Sequence, residues 1–279
     1  MKKIEEAMIM CSPRIMEVVQ NRLANESPSP MSRRNLLRLG GGLAAGAAVA
    51  ASSPLPLLAQ DMMNEVIDLS HVMGESAPHI FGPDFAPTRE KIEFLSEVIH
   101  WQQWSFNEHS GTHVDIPSHF ILDGGENVDS YDANLLVSPA VVIDISARAA
   151  EDADAFVTVE DIRAWESANG EVPPGALVCM HSGWEAHWSD PTAFIGRDDE
   201  GVAHFPGFGE EAAAFLVEER DIHGIAVDTP SQDPGNSATF PVHYITLGAG
   251  LYGVENVRNL AAIKNRAATV IVGVPRWEG

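Results

Sequence analysis

Three histidines and one carboxylate crowd into eleven positions of this chain, His109-Ser110-Gly111-Thr112-His113-Val114-Asp115-Ile116-Pro117-Ser118-His119. Neutral imidazole nitrogens and carboxylate oxygens are the donors that suit Zn²⁺, Mn²⁺ or Fe²⁺. Two imidazoles with one carboxylate leave coordination positions free, as a catalytic ion requires. Gly111 and Pro117 sit badly in a helix, whereas Thr, Val and Ile favour extended backbone. Alternate side chains of an extended segment share a face, so His109, His113 and Asp115 are expected side by side on one strand. Pro117 then bends the chain and takes His119 off that parity. A histidine-rich surface turn is the competing reading, and the density of donors favours the ion.

The elements that must position these groups are legible on either side. Glu65 to His71 reads as a first strand, followed by a polar loop to about Pro87. Lys91 to His100 carries Ile92, Leu95, Val98 and Ile99, a pattern that suits a helix or a pair of strands. Trp101, Trp104 and Phe106 then lead into the histidine cluster, either lining an aromatic-substrate pocket or packing in the core. Ala140 to Ile145 reads as a buried strand. Thr158 opens a helix with a capping box that Gly170 closes. Ala176 to Met180 is a further strand with His181-Ser182-Gly183-Trp184 at its end, where α/β proteins keep site residues. Residues 185–208, rich in Asp, Gly and Pro, are expected to cover something. A helix over Glu210 to Arg220, a strand over Ile222 to Val227 and a last strand over Ala268 to Val274 complete the alternation, which argues for an α/β fold. His243 and Glu255 are twelve residues apart, and on spacing alone each reads as an ordinary structural residue.

The 279 residues are 45% hydrophobic and 20% charged, the composition of a globular protein. Residues 1–59 hold seven of the 17 basic and four of the 40 acidic side chains, leaving the remainder at −26 against −23 for the whole chain. So acidic a surface repels phosphate backbones and argues against nucleic-acid partners. Ser32-Arg33-Arg34, then Leu36-Leu37-Arg38 and an apolar run from Leu39 to Ala51, resembles a twin-arginine export signal, with cleavage expected near Ala59. That run is shorter than the ~20 residues a bilayer span needs, so no stable anchor is expected after cleavage. A periplasmic or otherwise exported protein is implied. Residues 1–30 are either a long extension or precede a true start at Met31. Of the two cysteines, Cys11 and Cys179, the second lies in an apolar run and is expected to be a buried, inert thiol.

His-x-Gly-Thr-His-x-Asp-x-Pro-x-His-Phe over His109–Phe120 resembles the signature of the cyclase family of metal-dependent hydrolases, which includes bacterial kynurenine formamidases and isatin hydrolases. Ile67-Asp68-Leu69-Ser70-His71, Ser182-Gly183-Trp184, Phe205-Pro206-Gly207, Asp228-Thr229-Pro230-Ser231, Asp233-Pro234-Gly235 and Gly248-Ala249-Gly250 are also similar to family stretches, so the likeness spans residues 65–275. It implies one domain over residues 60–279 with a mixed sheet and the family's swivelling β/β/α architecture, in dimers or larger homo-oligomers. By motif it implies that His109, His113 and Asp115 hold one ion, that Asp115, His243 and Glu255 hold a second, and that His119 is the general acid/base. Mn²⁺ or Zn²⁺, one ion or two, stay open. Trp104 and Trp184 are expected against the substrate. The chain departs from the family pattern at its end, stopping at Trp277-Glu278-Gly279 where members continue into a Gly-rich tail. If that tail closes the pocket or an interface in the family, reduced activity is expected here, and a truncated gene model is an equally simple explanation.

The expected function is thus hydrolysis of the C–N bond of a small amide, either an N-formyl aryl amine such as N-formylkynurenine or a cyclic amide such as isatin. Residues 185–208 favour the isatin side. The rival is an exported metal- or ligand-binding protein of the same fold without turnover.

Overall fold

The computed structural model describes residues 65–94 and 99–278. The leader expected over residues 1–59 lies outside them, as do Leu95 and Val98 and the side chains of Ile92, Ile99 and Trp101. The chain divides into two units, residues 1–64 with Glu93–Trp101, and Glu65–Ile92 with Gln102–Gly279. Of the first unit, the description covers only strand residues 93–94 and 99–101.

Strands β1 (Thr88–Phe94) and β2 (Ile99–Ser105) pair with each other, so of the two readings of residues 91–100 the strand pair forms. Then come β3 (His113–Asp115), β4 (Val137–Asp144), α1 (Ser146–Ala149), β5 (Phe156–Val157), α2 (Val159–Asn169) and β6 (Leu177–His181). They are followed by α3 (Pro191–Ile195), β7 (Gly207–Phe208), α4 (Glu210–Glu219), β8 (Gly224–Val227), α5 (Pro241–Gly248), β9 (Tyr252–Glu255) and β10 (Thr269–Ile271). Six strands form one mixed sheet in the order β10-β4-β6-β8-β9-β3, while β5 and β7 pair apart. β4, β6, β8 and β9 run parallel, and β10 and β3 flank them antiparallel.

The middle strands carry apolar runs because both their faces are covered. Val141 and Ile143 of β4, Val178 and Met180 of β6, and Ile225 and Val227 of β8 pack under α2, α4 and α5 through Ile162, Ala213, Leu216 and Val242. The intervening residues, Val142, Leu177, Cys179 and Ala226, face the other way into a second core with Tyr131, Tyr252 and Leu260. There burial pushes the Cys179 thiol up to about 12, the inert state expected of it. A third, smaller core gathers Trp184, Phe194, Ile195, Ala203 and Phe205. Among the described residues no helix is long and apolar enough to cross a membrane.

The expected strand at Glu65–His71 does not form. Ser70 makes only an isolated bridge to Val257. The backbone N–H of Ser70 is taken by the Asp68 carboxylate at 2.9 Å and that of His71 by Thr112 Oγ1 at 2.8 Å, so side chains replace the ladder.

The helix read from Thr158 forms as expected. Its hydroxyl accepts from the Asp161 N–H at 3.2 Å, Asp161 returns the bond to the Thr158 N–H at 2.8 Å, and Gly170 ends the helix at φ +92°. Thr158→Ala should lower stability by about 1 kcal/mol in denaturant unfolding with the slope unchanged. An unaltered midpoint would show that the box contributes nothing.

Candidate metal centre

The donor cluster is assembled where β3 meets β9. The antiparallel register sets His113 opposite Glu255 and Asp115 opposite Gly253. Directly opposed residues share a face. Val114, Tyr252 and Val254 face the second core, so His113, Asp115 and Glu255 project to the side that carries α5. His113 Nε2 lies 3.3 Å from Glu255 Oε2 and 3.5 Å from Asp115 Oδ1.

His109 arrives by another route than the one expected. The strand covers only His113–Asp115, and His109 sits in the turn before it. The Asn107 side chain holds the His109 N–H at 3.0 Å, and Gly111 reverses the chain at φ +68°. Turn geometry, not strand parity, brings His109 Nδ1 to 3.1 Å from both Asp115 Oδ1 and His113 Nε2.

His243 comes from the first turn of α5. Asp233 caps that helix from outside, its carboxylate accepting from the N–H groups of Val242 at 2.9 Å and His243 at 3.1 Å. The same carboxylate takes His243 Nδ1 at 2.6 Å. With Nδ1 engaged, Nε2 is turned inward, 3.2 Å from Glu255 Oε1 and 3.5 Å from Asp115 Oδ2. His113 is fixed in the same manner by the Gly111 carbonyl, 3.0 Å from its Nδ1.

Gln232 completes the frame. It is fully buried; its backbone N–H donates to Glu255 Oε1 at 3.0 Å and its amide to Asp115 Oδ2 at 3.3 Å, while Thr246 Oγ1 donates to its Oε1 at 3.1 Å. The amide lies against Gly253, where any Cβ would collide with it. Neither Gln232 nor Asp233 stood out in the sequence as a supporting residue. The available signal was their place in the polar loop after β8, at the carboxyl end of a parallel strand.

The donor set fits a divalent cation. Asp115 Oδ1 is buried without a hydrogen-bond partner. The atoms around it, His109 Nδ1 and His113 Nε2, stand 3.1–3.5 Å from it and from each other. Donors about 2.1 Å from a shared tetrahedral centre lie roughly 3.3–3.5 Å apart, so these atoms are already spaced as ligands. His109, His113 and Asp115 form one such group, and Asp115, His119 and His243 a second. Glu255 adjoins both through His113 and His243.

Without an ion the cluster carries protons instead. Burial opposes charge on His113, but Glu255 and Asp115 outweigh it and push the imidazole up to about 9. His243 is likewise desolvated, and Asp115, Asp233 and Glu255 push it up to about 11. Asp115 pays for burial too, yet its histidine partners hold it well below the usual carboxylate range.

His119 follows in the 3-10 turn Pro117–His119, its ring 4.2 Å from that of His109 and 6.0 Å from that of His243. An exposed edge faces the mouth of the site while surrounding protein desolvates the rest. That desolvation lowers its pKa despite Asp115 and keeps the ring neutral.

The cluster opens on a cavity of about 250 Å³ whose other wall is apolar, built from Ile80, Phe81, Phe120, Phe194, Ile195 and Phe240. Residues 185–208 cover this site as expected: Phe194 and Ile195 line it, and Arg197 pins the far wall by donating to the Ile80 carbonyl at 2.8 Å. The tryptophans expected against the substrate lie elsewhere. Trp184 is a core residue whose Nε1 donates to the Phe194 carbonyl at 2.8 Å, and Trp104 sits on β2 under the Arg89 guanidinium. Phenylalanines take the wall instead. One of them, Phe240, holds a left-handed backbone (φ +52°, ψ +47°) just before Pro241. The other described non-glycine residues at positive φ are Asp221, Asn256 and Asn259, types that tolerate it. For a bulky residue this conformation costs on the order of 1–3 kcal/mol.

The model of the family described as putative cyclase matches residues 67–234. Isatin hydrolase of Roseibium aggregatum is 31% identical over 223 residues, covering 74% of this chain and 84% of that protein. Kynurenine formamidase of Bacillus mycoides is 30% identical over 149 residues, 53% of this chain and 60% of that protein. Among solved structures, isatin hydrolase A from Ralstonia solanacearum matches with a TM-score of 0.75 and 33% identity, over 84% of this chain and 95% of that one.

Because ligation needs neutral imidazoles, cation binding must displace the Nε2 protons of His113 and His243. Release of up to two protons is expected below about pH 9 and of one between about 9 and 11, with apparent affinity rising over that range. Calorimetry of Zn²⁺ or Mn²⁺ binding in buffers of different ionisation enthalpy checks this; buffer-independent heats at pH 7.5 would contradict it. Gly253→Ala should evict the Gln232 amide and weaken binding roughly 10–100-fold with the fold intact by circular dichroism. Unchanged affinity would remove Gln232 from the frame.

Proposed function

This chain belongs to the putative cyclase family, metal-dependent hydrolases among which isatin hydrolase and kynurenine formamidase are its relatives, and we propose that it hydrolyses the C–N bond of a small aryl amide. The observation that carries the proposal is the convergence of His109, His113, Asp115, His243 and Glu255 beside His119, at the polar end of an otherwise apolar cavity.

When bound there, a divalent cation supplies a Lewis acid for the amide carbonyl and makes water acidic enough to attack near neutral pH. His109, His113 and Asp115 would hold it, with His243 and Glu255 on the other side of Asp115. The remaining work falls to the chain. Asp233 and Gly111 fix the tautomers of His243 and His113, and Gln232 holds both carboxylates in place. His119, neutral and at the mouth, accepts a proton from the attacking water on a ring nitrogen and returns it to the departing nitrogen. The products are a carboxylate and an arylamine, because an unprotonated amide anion is far too basic to leave. The apolar wall holds the aryl group and keeps bulk water out.

Two considerations support a cyclic aryl amide such as isatin over an N-formyl aryl amine. The likeness to isatin hydrolase is 31% identity over 223 residues, against 27% over 199 residues for kynurenine formamidase of Geobacillus thermodenitrificans. Residues 185–208, which favoured that side in the sequence, help build the cavity.

The test is turnover of isatin and N-formylkynurenine by protein loaded with Mn²⁺ or with Zn²⁺. His119→Ala should lower kcat by about 10²–10⁴-fold. Its metal content, by elemental analysis, should stay at the wild-type value. Undiminished turnover would take the proton-transfer role from His119, and loss of the ion would make it a ligand.

A further inference from the structure

Phe240 bears an unusual combination of features. It is a large aromatic residue in the left-handed region, it precedes a proline, and it is 40% exposed. The first two conditions are each unfavourable for a residue with a Cβ. An exposed ring gains little from burial that would offset them. The surroundings enforce the conformation: the Phe240 N–H donates to Ser237 Oγ at 3.3 Å, and its carbonyl accepts from the Tyr244 N–H at 3.2 Å at the start of α5. Strain that persists at an exposed position points to function, because packing alone does not call for it.

The ring's position says what that function is. It lines the cavity, edge-on to Phe120 at 5.8 Å and to the His243 ring at 6.0 Å. Phe120 in turn stacks on His243 at 4.5 Å. Phe120 therefore backs a donor of the cluster, and Phe240 is left with an open face at the mouth. Phe81, on a different segment, offers a second exposed ring to the same cavity.

We propose that Phe240 is the specificity-determining residue of this site: its left-handed backbone aims the ring across the cavity mouth, where it selects planar aromatic amides over aliphatic ones of the same reactivity. This rests on the amidohydrolase reading above. Aromatic rings prefer offset or edge-on neighbours, so a flat bicyclic substrate gains a contact that a saturated ring of equal size does not.

The test compares wild type with Phe240→Asn, which tolerates the left-handed backbone but lacks the ring, and Phe240→Leu, which keeps apolar bulk. Metal-loaded proteins are assayed on isatin and on succinimide, and equilibrium binding of isatin is followed independently of turnover. For Phe240→Asn the isatin-to-succinimide ratio of kcat/KM should fall at least tenfold, mostly through KM for isatin, and Tm should rise or hold as strain is released. Phe240→Leu should lose the same selectivity without gaining stability. Equal losses on both substrates, an unchanged ratio, or a fall in Tm for Phe240→Asn would overturn the proposal. If wild type hydrolyses neither amide, the amidohydrolase reading fails and binding decides alone. A tenfold weaker isatin Kd in Phe240→Asn sustains the role of the ring, and equal affinity or no binding by wild type refutes it.

Discussion

The molecule is arranged around the problem of burying negative charge. Asp115, Asp233 and Glu255 are all withdrawn from water and all lie against the same histidine. Left uncompensated, each would cost several kcal/mol. His243 answers two of them through Nε2 and the third through Nδ1, and His113 bridges Asp115 to Glu255. Asp115 is thereby held in its charged form, and the cluster demands positive charge in return. Protons meet that demand when no ion is present, and a divalent ion meets it more compactly. Much of the fold serves this balance: the β3/β9 register spaces one pair of partners, and the Asp233 cap orients α5 to bring in another.

The chemistry was more legible in the sequence than the geometry that delivers it. A dense motif such as His109–His119 declares its donor types locally, and the apolar runs of β4, β6 and β8 declare buried parallel strands. The capping box at Thr158 is equally local, and it forms as read. What failed depended on side-chain hydrogen bonds and turns that hydrophobic pattern does not encode, some local and some from far along the chain. Parity predicted His109 on the strand, but Gly111 and Asn107 turn it there instead. Residues 65–71 carry a strand pattern, yet Asp68 and Thr112 compete for the amides a ladder would need. Gln232 reaches Asp115 from 117 residues away, a contact no short window contains, whereas Asp233 and Phe240 act on α5 from within ten residues through geometry that residue type alone does not announce. Trp104 and Trp184 illustrate the converse, since proximity in sequence to site residues did not put them in the cavity.

The two ends of the cavity are built differently. Its polar end rests on strands and a helix tied into the cores, where a shift of a fraction of an ångström would spoil ligation. Its apolar end is carried by loop residues 78–81 and 240 and by the end of the short helix α3, Phe194 and Ile195, braced by Arg197. Rigid scaffolds with variable loops let one reaction be kept while the substrate changes. A family containing both isatin hydrolase and kynurenine formamidase is consistent with that division.

The strand bearing His113 and Asp115 occupies the last place in the sheet order, beyond β9. A marginal strand can detach without prising apart the central β4-β6-β8 block, so the ligand shell can open by a sub-global excursion far cheaper than unfolding. The donor shell thus sits partly on an edge strand, outside the block that holds the core together.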